Sequence, residues 1–280
     1  MVAIVFYRRC QLGVLSLATI TFILQIFRAM SGIVAADVST LVDFSQIGPT
    51  RLARFSQIFA AQANIKKRYM EITVAITGAS GTVYAKKTLQ LLAASGGVET
   101  INLIMSGTAA TVALVETGTN LKDADAAKIN AWLDLPGESK LIRYWRLDNF
   151  AAKPSSGSNK QAGMIIVPCS MGTLGAIASG AGTNLIHRAA DVCLKEGRKL
   201  VLVPRETPYN AIHLENMLKL THAGARILPA SPGFYHRPQT VDDLVEHLCF
   251  RILDQFDIPH SKKSQWTGDE VSEPPAAACG

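Results

Sequence analysis

Four aliphatic residues in a row, Leu200-Val201-Leu202-Val203, run into Pro204-Arg205-Glu206-Thr207-Pro208. An unbroken apolar run of this length reads as a strand buried on both faces, as in a parallel sheet. Residues 164–167 make a similar run, and residues 72–77 and 101–105 read as further strands, largely apolar but for Thr73, Thr77 and Asn102. Between them the apolar positions switch to helical spacing. Residues 82–94 carry Leu89, Leu92 and Ala93, and residues 185–196 carry apolar side chains at 185, 186, 189, 190, 193 and 194. Residues 241–256 repeat them at 241, 244, 245, 248, 252, 253 and 256. Helices are also predicted over 108–116, 211–223 and, with a polar surface, 124–133. Residues 141–146 form a strand weakened by charges, and 226–228 a short one. Strands alternating with helices predict an α/β fold with a doubly wound, mostly parallel sheet. The Ser-, Gly- and Lys-rich stretch 148–163 is a loop long enough to suggest function.

Composition narrows the function classes. The 280 residues are 48% hydrophobic and 18% charged, enough to bury a core. The net charge of +6 suggests nucleic acid until it is located. Residues 1–70 hold eight Lys/Arg and two Asp/Glu, so residues 71–280 are neutral. The body of the chain is not a basic nucleic-acid binder, and its expected partners are small molecules. Cys10, Cys169, Cys193, Cys249 and Cys279 make no CxxC pair and no zinc spacing, which fits a reducing compartment.

The chain divides into an extension over 1–69, a domain over 70–266 and a tail over 267–280. Arg8-Arg9, an uncharged stretch over 10–27 and Val34-Ala35-Ala36 have the layout of a signal peptide or membrane anchor. A poorly ordered extension is a second reading. A third, favoured because Met70 immediately precedes the first strand, is sequence upstream of the functional start.

Chemistry-bearing residues gather where strands are expected to end. Gly78-Ala79-Ser80-Gly81 follows the first strand and opens a helix, a place where free N–H groups and the helix dipole favour a phosphate. The dinucleotide fingerprint is incomplete, since a third glycine is missing and Ser106, not an acid, ends the second strand. A mononucleotide fits better than NAD. An ordinary strand-to-helix turn is the competing reading. Pro168-Cys169-Ser170-Met171-Gly172-Thr173 repeats the arrangement, with Cys169 expected to pack rather than react. Arg205-Glu206 is either an ion pair pinning a strand end or part of a site at the carboxyl edge of the sheet. Pro232-Gly233-Phe234-Tyr235-His236-Arg237-Pro238 is a proline-held loop with a phenol and a cation. Arg251 and Lys195 have structural readings as helix residues. The six histidines make no H-x-x-x-H, and no catalytic metal is inferred.

Taken in order, these segments make residues 71 to about 266 similar to the UbiX-type flavin prenyltransferases, formerly described as aromatic-acid decarboxylases of ubiquinone biosynthesis. The matching stretches are Ile76-Thr77-Gly78-Ala79-Ser80-Gly81, Met105-Ser106, Glu116-Thr117 and Ser156-Gly157-Ser158. Val167 to Leu174, Arg188 to Val192, Lys195-Glu196 and Arg205-Glu206-Thr207-Pro208 continue the series. His213 to Met217, Gly233 to Pro238 and Arg251 to Asp254 complete it.

The resemblance implies a Rossmann-like or flavodoxin-like flavoprotein, assembled as a homododecamer with reduced FMN at subunit junctions. It implies transfer of a dimethylallyl group from dimethylallyl phosphate to N5 and C6 of reduced FMN, without a metal. The prenylated FMN would serve a UbiD-type decarboxylase, and the expected location is the cytoplasm. By the same resemblance, Gly78, Ala79, Ser80, Ser106, Ser170, Met171, Gly172, Thr173 and Arg205 bind FMN. Tyr235, Arg251 and Lys195 bind the donor phosphate. Ser80 and Glu206 assist proton movement, and Glu116 reaches the site from a neighbouring subunit. Trp266 matches a tryptophan near the family's C-terminus, whereas Asn159 stands where many members carry Phe. The competing functions are a non-catalytic flavin carrier and a flavin-dependent Cys decarboxylase. Against the latter, no histidine precedes His187.

Overall fold

The computed structural model describes residues 70–260, apart from Glu138. The expectations for residues 1–69, for Trp266, for Cys10 and Cys279 and for the 267–280 tail lie outside the described residues. In chain order the elements are β1 (Met70–Ile76), α1 (Thr82–Ala94), β2 (Val98–Met105), α2 (Gly107–Thr117) and α3 (Ala126–Trp132). There follow β3 (Ile142–Trp145), a 3₁₀ turn (Lys153–Ser155), β4 (Gly163–Cys169), α4 (Met171–Ala178) and α5 (Leu185–Lys195). The chain continues through β5 (Lys199–Pro204), α6 (Ala211–His222), β6 (Arg226–Ile227) and α7 (Val241–Asp254).

All six strands join one parallel sheet in the order β3-β2-β1-β4-β5-β6. The chain builds outward from β1 to β3, then returns to lay β4 on the other side of β1. That reversal leaves a crevice at the carboxyl ends of β1 and β4, the place where open α/β sheets bind ligands.

The unbroken apolar runs are explained by two cores. Alternate strand residues point to opposite faces. Ile72, Val74, Ile76, Leu103, Val201 and Val203 pack beneath α1, α3 and α7, whereas Ala75, Ile104, Met164, Ile166, Leu200 and Leu202 pack beneath α4 and α5. Burying each large aliphatic side chain contributes about 1.5–3 kcal/mol. The residues with fewest charges therefore become the central strands. β3 is short because it lies at the edge of the sheet, and Arg143 within it is exposed.

The helix within 124–133 presents Asp125 and Lys128 to solvent and buries its other face. Ile129, Asn130 and Trp132 of α3 are buried, because the helix covers one face of the edge of the sheet. Asn159, the departure from the family pattern, donates to Glu71 Oε1 at 3.1 Å, where Asn102 also donates at 2.7 Å. Cys169, Cys193 and Cys249 are free and buried, and burial pushes each thiol up to about 12. Cys169 is thus a packing residue, as expected.

Candidate active site

Three helices begin at the crevice: α1 after β1, α2 after β2 and α4 after β4. Two of them cap themselves. Ser106 Oγ accepts from the Ala109 N–H at 3.1 Å, and Ser170 Oγ accepts from the Thr173 N–H at 3.3 Å. The third has Gly81 at its N-cap, with φ of +116° and no side chain to offer.

The missing cap comes from α2. Glu116 Oε1 accepts from the Gly81 N–H at 2.9 Å, and its Oε2 accepts from the Thr82 N–H at 2.8 Å. Ser80 donates its hydroxyl to the same carboxylate. Partial burial pushes the Glu116 carboxyl up, but the hydrogen bonds from Ser80, Thr82 and Gly81 win and hold it below the usual carboxylate range. Within one chain Glu116 therefore serves its own Ser80 loop, because α2 runs alongside the start of α1. The α1 N-terminus holds an anionic group, the protein's own carboxylate.

The loop is tied down from two further sides. A side chain at Gly78 would collide with Thr108 at the start of α2. Thr77, buried at the end of β1, donates from Oγ1 to the Pro168 carbonyl and accepts from the Ser170 N–H, both at 2.8 Å. Thr77 thus fastens β1 to the end of β4 across the crevice. No role was assigned to it from the sequence, although a threonine ending an apolar run was the available signal.

Arg205 and Glu206 do not pair with each other. Arg205 Nε donates to the Ser80 carbonyl at 3.3 Å, whereas the Glu206 carboxylate accepts from the Thr207 N–H at 3.1 Å. The strand end therefore reaches back to the β1 loop instead of being closed by an ion pair. Met171 is buried, Gly172 is exposed, and no atom lies within 4 Å of where a Gly172 side chain would stand. Ser80, Ser106, Ser170 to Thr173 and Arg205 thus meet at one edge of the sheet.

Tyr235 and Arg251 form a second group. Both line an open cleft of about 690 Å³ between α7 and the loop after β6, together with Arg226, His247 and Leu248. Arg251 also pairs with Asp254 at 2.7 Å. In the 232–238 loop Arg237 is exposed, whereas its neighbour His236 turns inward. His236 is half-buried and stacked on His247, with ring centroids 4.5 Å apart and planes at 12°.

Lys195 is not part of either group within one chain. It ends α5 four residues before β5 begins at Lys199, so it sits at the amino edge of the sheet. There it pairs with Glu196 beside Gly157. A six-residue strand, roughly 20 Å, separates that edge from Arg205. The cause is topological: a crossover helix returns the chain to the start of the next parallel strand. Among the described residues no three His, Cys, Asp or Glu side chains gather as a metal site.

A Flavoprotein family pattern matches residues 60–253. Flavin prenyltransferase UbiX of Alkalihalophilus pseudofirmus is 46% identical over 195 residues, covering 70% of this chain and 95% of that protein. The chain belongs to the UbiX flavin prenyltransferase family. UbiX of Pseudomonas aeruginosa is likewise 46% identical, over 70% of this chain and 93% of its own length. A structure described as a dodecameric FMN-dependent UbiX-like decarboxylase from Escherichia coli O157:H7 matches with a TM-score of 0.62 and 43% identity, covering 71% of this chain and all of that one. AnUbiX (PadA1), solved with FMN and dimethylallyl pyrophosphate, matches with a TM-score of 0.59 and 42% identity over 68% of this chain and 93% of that one.

Proposed function

We propose that this UbiX-family member joins a dimethylallyl group from dimethylallyl phosphate to N5 and C6 of reduced FMN, at the carboxyl edge between β1, β4 and β5. The observation that carries the assignment is the convergence of Ser80, Glu116 and Arg205, from three separate elements, on one loop. The donor set fits a flavin mononucleotide: self-capped helix N-termini at Ser106 and Ser170 and the Arg205 cation supply hydrogen bonds for a phosphate and a polar ring edge. Bound reduced FMN supplies the nucleophilic flavin atoms that accept the prenyl group.

The chain's own residues supply positioning and proton handling. Gly78, Ala79, Ser106, Ser170 to Thr173 and Arg205 hold the flavin. Tyr235 and Arg251, across the cleft, bind the donor's phosphate and stabilise the charge that grows on it as it leaves. The Ser80 hydroxyl, donating to the Glu116 carboxylate, can hand its proton to that carboxylate as it takes one from the reacting edge. Glu206 is half-exposed and its carboxylate meets the Thr207 N–H, so it can take up a proton and release it to solvent.

Lys195 joins the phosphate site when copies of the chain assemble. The dodecameric relative supports such an assembly, and so does α6, which exposes Ile212, Leu214 and Leu218 at 66%, 54% and 58%. We place the catalytic domain at residues 70–266 and its action in the cytoplasm, with the product passed to a UbiD-type decarboxylase. No helix among the described residues is long and apolar enough to cross a membrane.

The test is turnover of dimethylallyl phosphate by wild type and by Glu206→Gln with reduced FMN. A prenyltransferase consumes the donor and slows when Glu206 is replaced, whereas a non-catalytic carrier consumes none in either protein.

A further inference from the structure

The residues that hold Tyr235 belong to no role assigned so far. Its ring meets His247 edge-on, with centroids 5.4 Å apart and planes at 84°, and meets His236 at 5.8 Å and 78°. The two imidazoles lie against each other. His247 is only 5% exposed and projects from α7 one turn before Arg251. Both nitrogens of His236 and Nδ1 of His247 are buried without a hydrogen-bond partner. Imidazoles used for hydrogen bonding would not be left so. Their contribution in this position is the flat face and edge of the ring.

We infer that His247 is a positioning residue for the donor site, seating the Tyr235 ring on the helix that carries Arg251 and so fixing the spacing between phenol and guanidinium. Gly233 belongs to the same seat. A methyl group there would stand 2.8 Å from Tyr235 Cε1 and 3.6 Å from His247 Nε2, so the ring would have to move. Two phosphate-binding groups on separate elements bind together only when their separation is set in advance, which is what a rigid stack achieves and a flexible loop does not.

This inference rests on the reading that Tyr235 binds the donor, and the experiment separates the two. Steady-state KM for dimethylallyl phosphate and for FMN is measured on the full chain and on His247→Leu, His247→Phe, Gly233→Ala, Tyr235→Phe and the Tyr235→Phe/His247→Leu double variant. His247→Leu should raise the donor KM about tenfold and leave the FMN KM unchanged, and His247→Phe, which keeps a flat ring, should restore most of the loss. In the Tyr235→Phe background His247→Leu should add less than about twofold, since its effect acts through the phenol. Gly233→Ala, on a surface loop, should raise the donor KM as well and carries the test if His247→Leu does not fold. An unchanged donor KM in His247→Leu or Gly233→Ala, or losses that multiply in the double variant, overturns the inference. An unchanged donor KM in Tyr235→Phe overturns the underlying reading of Tyr235.

Discussion

Around Ser80, backbone N–H groups, a buried threonine and a carboxylate from a second helix lock a four-residue loop to β1, β4 and α2. Around Tyr235, the loop leans on α7 through stacked rings and borders an open cleft. The first wall is fixed by directional bonds that cost free energy if left unmade. The second is fixed by ring faces and edges beside open space. The contrast matches the two jobs proposed for the walls. The flavin must be held with its reacting edge in one place, whereas the donor must enter, lose its phosphate and let that phosphate go.

Four substitutions separate the walls, from largest effect to smallest. Glu206→Gln removes a proton-handling group without disturbing either wall, and kcat should fall by about 10²–10⁴ with FMN affinity retained. Stopped-flow turnover against FMN titration checks it. Gly78→Ala forces the first loop off Thr108, and a displacement of about 1 Å there should lower kcat/KM roughly 10²-fold. The same measurement should show the loss in FMN binding and not in the donor KM. Thr77→Val keeps the shape but orphans the Ser170 N–H and leaves the Pro168 carbonyl only the backbone N–H of residue 77, so thermal or urea unfolding should report a loss of about 1–3 kcal/mol.

The smallest effect concerns Glu116. Its folded pKa lies below the free value of 4.5, so its ionised form stabilises the loop above that value and the gain is lost as pH falls through the folded pKa. The stability gap between wild type and Glu116→Gln should therefore be constant at neutral pH and close below pH 4.5. A gap that widened on acidification would contradict the cap geometry.

The same contrast governs what could be read from the sequence. Largely apolar runs at β1, β2, β4 and β5, broken only by single polar residues such as Thr73 and Asn102, marked a parallel sheet, because strands buried on both faces have no polar side to alternate with. Ser80, Ser106, Ser170 and Arg205 were visible because each stands within a few residues of a strand end, where topology alone makes a site. Other features depend on packing between distant segments. Glu116 reaches Gly81 across 35 residues, and no local pattern reveals that a helix borrows its cap from its neighbour. Tyr235 and His247 meet only because α7 folds back along its own preceding loop. The location of Lys195 at the amino edge was likewise hidden until the crossover was traced. Family resemblance supplied its proposed role, and within one chain it lies at the opposite edge of the sheet from Arg205.

The central claim is tested most directly by incubating the purified full chain anaerobically with reduced FMN and dimethylallyl phosphate and weighing the extracted flavin. The account predicts FMN carrying one added dimethylallyl unit, with an altered absorption spectrum and with the yield abolished or sharply slowed in Glu206→Gln. Recovery of unmodified FMN from wild type that demonstrably bound both substrates would contradict it.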